Sequence, residues 1–125
     1  MLCPRYQKAL RKTFQTASKM TDLYETLAQI KAAPGMYLGR PSVSDLFMFL
    51  AGYEFIRSKM GQDIDESEEL FYDNFQPWLQ ERFGVKNVTS WAKLIMLSCH
   101  DEKAGFDKFF GLLDEFVKYT QRQAD

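Results

Sequence analysis

The sequence holds little of what most catalytic sites are built from, with one histidine and two cysteines among 125 residues. Cys3 and Cys99 lie far apart, and no CxxC pair is present to hold zinc or exchange disulfides. We therefore expect two free thiols in a reducing cytoplasm. The motifs GxSxG, HExxH and GxxxxGK[ST] do not occur either. The sequence predicts no catalytic residue, no cofactor and no metal site.

Long apolar runs are also missing. The most apolar stretch, residues 44–56, contains Asp45 and Glu54 and is shorter than the ~18 residues that a membrane span needs. The first residues lack the apolar core and small-residue cleavage site of a secretory signal. These observations predict a cytoplasmic protein with no membrane association.

The net charge of −1 excludes a strongly basic nucleic-acid binder and an acidic tail protein, but it results from a cancellation. Residues 1–19 contain five bases and no acid, whereas residues 20–125 contain eleven bases and seventeen acids. We divide the chain into a basic N-terminal arm, 1–19, and an acidic helical domain, 20–125. The arm is either an extra helix or an extension ahead of a natural start at Met20. Helical spacing supports the first alternative, through Tyr6, Ala9, Leu10, Thr13 and Phe14.

What the sequence does have is aromatic residues, with eleven Phe, six Tyr and two Trp. Apolar residues recur every three or four positions, and no run alternates as a strand would. This pattern predicts an all-α fold, a single compact domain of five or six helices. We expect most aromatic residues in the core and some in an exposed binding patch.

Capping and terminating residues predict where the helices begin and end. Candidate N-cap residues are Thr21 or Asp22, Ser42 or Ser44, Thr89 or Ser90, and Asp101. Gly61 and Gly84 are candidate terminators. We expect residues 33–43 to be a loop and Pro77 to split the helical segment Leu70–Phe83. Phe55 and Ile56 belong to the broad apolar face of a predicted core helix, and Leu97 is an apolar position of the helix that Thr89 or Ser90 caps. The candidates for burial in the segment between them are Phe71, Phe75, Trp78, Leu79 and Phe83.

Residues 62–69 form an acidic connector between two predicted helices. It begins like a calcium-binding loop, but Glu68 stands where that loop needs glycine, and Asn74 where it needs glutamate. A solvated acidic loop is the better interpretation. As residues that bind a basic protein partner we predict Asp63, Asp65, Glu66, Glu68 and Glu69, together with Tyr37 of the Pro34–Gly39 loop.

The string Pro34–Gly39 resembles a segment of the gyrase-type ATPases, but the asparagine, the Asp-x-Gly turn and the glycine-rich lid of their nucleotide site are missing. The chain is more similar to a group of small bacterial helical proteins. The matching strings are Pro34–Gly39, Phe49–Tyr53, Trp78-Leu79, Trp91–Ile95 and Phe106–Phe116. The resemblance covers residues 20–118 and implies a role as an immunity or antitoxin-type protein that masks a toxin.

We therefore expect a non-enzymatic domain that binds a protein partner, with a toxin as the partner that the resemblance implies. One alternative is a regulatory nucleic-acid-binding protein that uses the basic arm, although the acidic domain would repel phosphates. The other alternative is a small enzyme, which would need a pocket with converging polar groups. The Pro34–Gly39 loop is either a binding element or only a clasp on the core.

Overall fold

The computed structural model describes residues 22–124, apart from the side chain of Asp22. This part of the chain folds into six helices with no strand, which confirms the all-α prediction. The helices are α1 (Asp22–Ala32), α2 (Pro34–Leu38), α3 (Val43–Lys59), α4 (Glu66–Phe83), α5 (Trp91–Met96) and α6 (Glu102–Ala124). The basic arm, residues 1–19, and the candidate cap Thr21 lie outside the described residues. None of the six helices has the length and apolar character to cross a membrane.

Side-chain caps begin three of these helices as predicted. Ser42 accepts the backbone N–H of Asp45, and Ser90 accepts that of Lys93, each at 3.1 Å. Asp101 accepts the N–H of Ala104 at 2.7 Å. Each cap satisfies a donor that the first turn of a helix leaves without an intrahelical partner.

Glycines end two helices, also as predicted. Gly61 follows α3 and Gly84 follows α4, both with φ of +67°. Residues with a Cβ rarely adopt this left-handed conformation, so glycine stops the helix at little cost.

The prediction of a loop over 33–43 is wrong for Pro34–Leu38, which forms the single turn α2. Pro34 fits the start of a helix because its fixed φ is helical and its missing N–H would have had no partner there. Within this turn only Leu38 packs against the core, and Met36 is 78% exposed.

The prediction that Pro77 splits its segment is also wrong. Pro77 lies inside α4, which runs unbroken from Glu66 to Phe83. Proline costs a helix one hydrogen bond and a clash with the preceding turn. Here the position is exposed, while Phe75 and Leu79 on the inner side hold the helix in the core.

The core is an interlocked set of aromatic rings from α4, α5 and α6. Trp91 stacks on Phe109 with ring centroids 4.8 Å apart, and Phe75 meets Phe116 edge-on at 5.3 Å. Phe71 joins the same set through Phe75 at 4.9 Å. Stacked and edge-to-face rings add to the free energy of burial, which explains why so many of the aromatic residues are internal.

Helix α3 crosses close to α6 at a glycine. A Cβ on Gly105 would lie 2.6 Å from Val43 Cγ1 and 2.9 Å from Met96 Sδ, so only glycine fits the present packing. The start of α3 is also bound to the first turn of α6 by Glu102. This carboxylate accepts the backbone N–H and the hydroxyl of Ser44, both at 2.9 Å, and the hydroxyl of Ser42 at 3.0 Å.

Candidate protein-binding surface

Residues 60–81 contain seven acids and no base. In the structure Asp63 and Asp65 are exposed just before α4. Glu66, Glu69 and Asp73 are exposed on α4 itself, at the i, i+3, i+7 spacing that places residues on one side of a helix. We call Glu66, Glu69 and Asp73 the acidic face. It contains two of the predicted partner-binding residues and adds a third acid one turn further along.

Part of this negative charge stabilises the N-terminus of α4. Asp65 is the N-cap, and its carboxylate accepts the N–H of Glu68 at 3.0 Å and the hydroxyl of Ser67 at 2.9 Å. Carboxylates in a first turn are favoured by the partial positive charge of a helix N-terminus. The acidic connector therefore ends at Asp65, and residues 66–69 are helical rather than part of a loop.

Glu68 is fully buried, so the prediction that it faces a partner is wrong. Its Oε1 accepts the backbone N–H of Leu23 at 2.9 Å and pairs with the guanidinium of Arg57, while Oε2 has no hydrogen-bond partner. Arg57 also donates to Tyr53 Oη and to Gln62 Oε1, both at 3.1 Å. Glu68 therefore joins α1, α3 and α4 from inside, on the same side of α4 as the aromatic core.

Burial perturbs the ionisable groups around this pair. It raises the pKa of Glu68, against the opposing effects of hydrogen bonds from Arg57 and the Leu23 amide. Burial also raises the pKa of Tyr24 to about 12, and the charges of Asp65 and Glu68 contribute in the same direction. Burial is also the main cause that raises the pKa of Tyr72. Both phenols remain protonated at neutral pH, which suits a structural cluster rather than a proton-transfer site.

A pocket of about 380 Å³ opens beside this cluster, between the end of α3 and α4. Its ionisable lining residues are Glu54, Arg57 and Tyr72. Arg57 is committed to Glu68, and neither a thiol nor an imidazole lines the pocket. The polar groups needed to activate a nucleophile do not converge there.

Tyr37 does not join the acids. It lies on α2, which packs on α1 and α3, and its hydroxyl donates to Gln29 Oε1 at 3.4 Å. Its ring is about one-third exposed. The side-chain hydrogen bond of Tyr37 is thus made to α1 and not to any of the predicted acids.

An exposed apolar surface on α3 was not predicted from the sequence. Met48 is 66% exposed, and Phe55 and Ile56, which we expected in the core, are 59% and 54% exposed. With the exposed small residues Ala51 and Gly52 between them they form one side of the helix, which we call the α3 apolar face. Exposed Met60 and Ile64 continue this apolar character through the connector to Asp65. Large apolar residues on the outer side of α3 as well as on its buried side are the sequence signal for such a face.

The string Cys99-His100-Asp101 forms no catalytic arrangement. Cys99 is half-buried, whereas His100 is exposed and its Nε2 lies 3.3 Å from Asp101 Oδ2. Among residues 22–124 no further hydrogen bond orients this pair, and the carboxylate already caps α6. Within residues 22–124 no group of three or more His, Cys, Asp or Glu side chains could hold a metal ion.

Comparisons of the chain with family models, with curated proteins and with solved structures found no match.

Proposed function

We propose that the chain is a non-enzymatic protein-binding domain of the bacterial cytoplasm. The observation that carries the proposal is that the α3 apolar face, the connector and the acidic face of α4, which follow one another along the chain, are all exposed. This surface combines exposed large apolar side chains with carboxylates, as protein interfaces combine an apolar centre with a charged rim.

The α3 apolar face supports binding because its side chains lie together on one side of a helix. Met48 and Phe55 lie two turns apart on one side of α3, and Ile56 adjoins Phe55. Removing such side chains from water yields about 25 cal/mol per Å² of apolar area, a free energy that the isolated domain forgoes. Contiguous apolar surface of this kind is typical of sites that a partner covers.

The acidic part supports a partner with a basic surface. Glu69 and Asp73 have no salt bridge in the described structure, and no base occurs between residues 60 and 81. Carboxylates at the rim of an interface mainly raise the association rate and select the partner. A toxin whose active surface is basic fits this requirement, and the resemblance to immunity proteins supports the same class.

The experiment is a pull-down from the native host, followed by binding kinetics with the protein recovered and with the product of the adjacent gene. Phe55→Lys should abolish capture by placing a charge in the apolar face. Leu97→Lys is the matched control, because Leu97 is 68% exposed at the end of α5, outside the α3 apolar face, and this variant should bind as the parent does.

The contribution of the acidic face to binding is tested by replacing its carboxylates with lysine. Glu69→Lys with Asp73→Lys should lower the association rate about tenfold or more at low salt. Asp107→Lys with Asp114→Lys makes the same change in net charge at two exposed positions of α6 and should leave the rate nearly unchanged. Equal loss of binding in both double variants, or undiminished binding by Phe55→Lys, would contradict the proposal.

A further inference from the structure

The outer side of α3 carries complementary groups at equal distances on either side of Gly52. Met48 precedes this glycine by four residues, and Ile56 follows it by four. Asp45 precedes it by seven residues and Lys59 follows it by seven, which is about 10 Å in each direction at 1.5 Å per residue. Steps of three and four residues keep all these positions on one side of the helix. The order along this side is therefore acid, apolar, glycine, apolar, base.

The two charges at the ends of this side are within reach of another molecule. Lys59 extends along the α3 apolar face, with its Nζ 5.5 Å from the centre of the Phe55 ring, and among residues 22–124 it forms no salt bridge. Asp45 pairs with Arg40 through Oδ2, yet 41% of its side chain stays exposed. A second molecule can therefore meet a base at one end of α3 and a carboxylate at the other.

The described fold does not require glycine at the middle of this side. Gly52 lies inside α3 without a positive φ, and within residues 22–124 nothing lies within 4 Å of a Cβ built on it. Glycine inside a helix lowers its stability relative to alanine, so the packing of this part of the chain leaves Gly52 unexplained. The distance between two packed helices depends on the side chains at their contact, so a glycine there favours close approach by another helix.

We propose that the α3 apolar face binds a second copy of this chain, with the two α3 helices antiparallel and crossing at Gly52. A two-fold axis at this glycine gives an interface in which every contact occurs twice. It places Met48 against Ile56 of the second copy, and Asp45 against Lys59 of the second copy. Parallel helices would instead bring like charges together, so the order of charges favours the antiparallel arrangement.

The α3 apolar face then has two occupants, the second copy and the protein partner proposed above. The dimer does not depend on that partner, because self-association is measured on the purified protein alone. The second copy would cover the face in the free protein, and a partner would have to displace it. A failed pull-down would leave the dimer standing, and a monomeric protein would leave the result of the pull-down standing.

Sedimentation of the full-length protein tests the interface at its centre. Between about 1 µM and 1 mM the parent should show a monomer–dimer equilibrium. Gly52→Leu should raise the dissociation constant about tenfold or more, because its side chain holds the two helices apart. Urea denaturation should show that this variant is as stable as the parent, since the position faces open space in the described monomer. Gly111→Leu is the matched control, because Gly111 is also exposed inside a helix with nothing described within 4 Å, and this variant should dimerise as the parent does.

Exchanging the end charges tests the antiparallel arrangement. Asp45→Lys alone and Lys59→Glu alone should each weaken the dimer about tenfold, because each places like charges opposite one another. Both changes in one chain should restore it, since each end again faces its opposite charge and the net charge is that of the parent. A monomer at every concentration would leave the face to residues 1–21 or to another protein and would overturn the proposal. Equal effects of Gly52→Leu and Gly111→Leu, or a double charge variant no tighter than the single ones, would also overturn it.

Discussion

Arg57 and Glu68 form a buried ion pair eleven residues apart in the chain, with Arg57 in the last turns of α3 and Glu68 in the first turn of α4. The α1 backbone joins them through the Leu23 N–H. One carboxylate therefore fixes the relative position of three helices. The same pair ties the end of α3, which carries the α3 apolar face, to the start of α4, which carries the acidic face.

Replacing Arg57 should destabilise the fold more than replacing a surface base. Arg57→Met would leave Glu68 buried without its cation, at a cost of about 3–5 kcal/mol in the free energy of unfolding. Urea denaturation measures this loss. Arg40 is the matched control, because it pairs with Asp45 at 2.9 Å on an exposed surface, and Arg40→Met should leave the urea midpoint almost unchanged.

The Arg57→Met variant should also have a distinct pH dependence. Burial already raises the pKa of Glu68, and removing Arg57 raises it further. A folded state that binds the proton more tightly than the unfolded chain loses stability as the pH rises from the unfolded pKa to the folded pKa. Adding Glu68→Leu to this variant should remove the dependence of the free energy of unfolding on pH in this range. If the dependence persists, it arises from another group.

Glu102 should contribute stability that falls as the pH is lowered, the opposite of the pH dependence expected for Glu68 in the Arg57→Met variant. Burial acts to raise its pKa, but hydrogen bonds from Ser44 and Ser42 outweigh burial and lower it. The contribution is full above the unfolded pKa of about 4.3 and is lost as the pH falls through the lower folded value. Glu102→Gln should cost about 1–2 kcal/mol at pH 7, and its deficit against the parent should shrink in that acid range. Asp107→Asn, which removes an exposed pair with Lys103, should show almost no deficit at any pH.

Two glycines of α6 should respond to alanine in opposite directions. Gly105→Ala places a methyl group 2.6 Å from Val43 Cγ1 and should destabilise the fold by about 1–3 kcal/mol. Gly111 has nothing within 4 Å of the added methyl, so Gly111→Ala should stabilise by about 0.5–1 kcal/mol. Thermal unfolding compares the two variants directly. A similar midpoint shift in both would contradict the close approach of α3 and α6.

Pro77→Ala should stabilise the protein. The change restores the backbone N–H that can bond to the Asp73 carbonyl and removes the clash of the ring with the preceding turn. The unfolded chain gains some conformational freedom, which offsets about 0.5–1 kcal/mol of this benefit. We expect a net gain of about 1–2 kcal/mol, seen as a higher urea midpoint. A lower midpoint would mean that the proline ring contributes more to stability than the missing hydrogen bond costs.

The sequence predicted the features that local chemistry determines. The caps at Ser42, Ser90 and Asp101 and the terminators Gly61 and Gly84 depend on residues within one turn, so each could be identified from its neighbours. The helical periodicity of the α6 aromatic residues likewise predicted a buried face, and Phe109 and Phe116 are fully buried.

The errors concern positions whose environment depends on distant residues. Glu68 is buried because Arg57 and Leu23 meet it from two other helices, and nothing in residues 62–69 indicates this. Phe55 is exposed because the described fold brings no element over that side of α3, although its spacing is typical of a core residue. Of the candidate surface, Asp63, Asp65, Glu66 and Glu69 were named from the sequence, whereas Asp73 and the α3 apolar face were not.

The bond between the Leu23 amide and Glu68 spans 45 residues. At about 5–20 residues per second, a ribosome needs roughly 2–9 s after making Leu23 to make its partner. During that interval the first turn of α1 has neither its acceptor nor the aromatic surface of α4 to pack against. A nascent chain of this protein should therefore carry an undocked first helix until Glu68 has also left the ribosome.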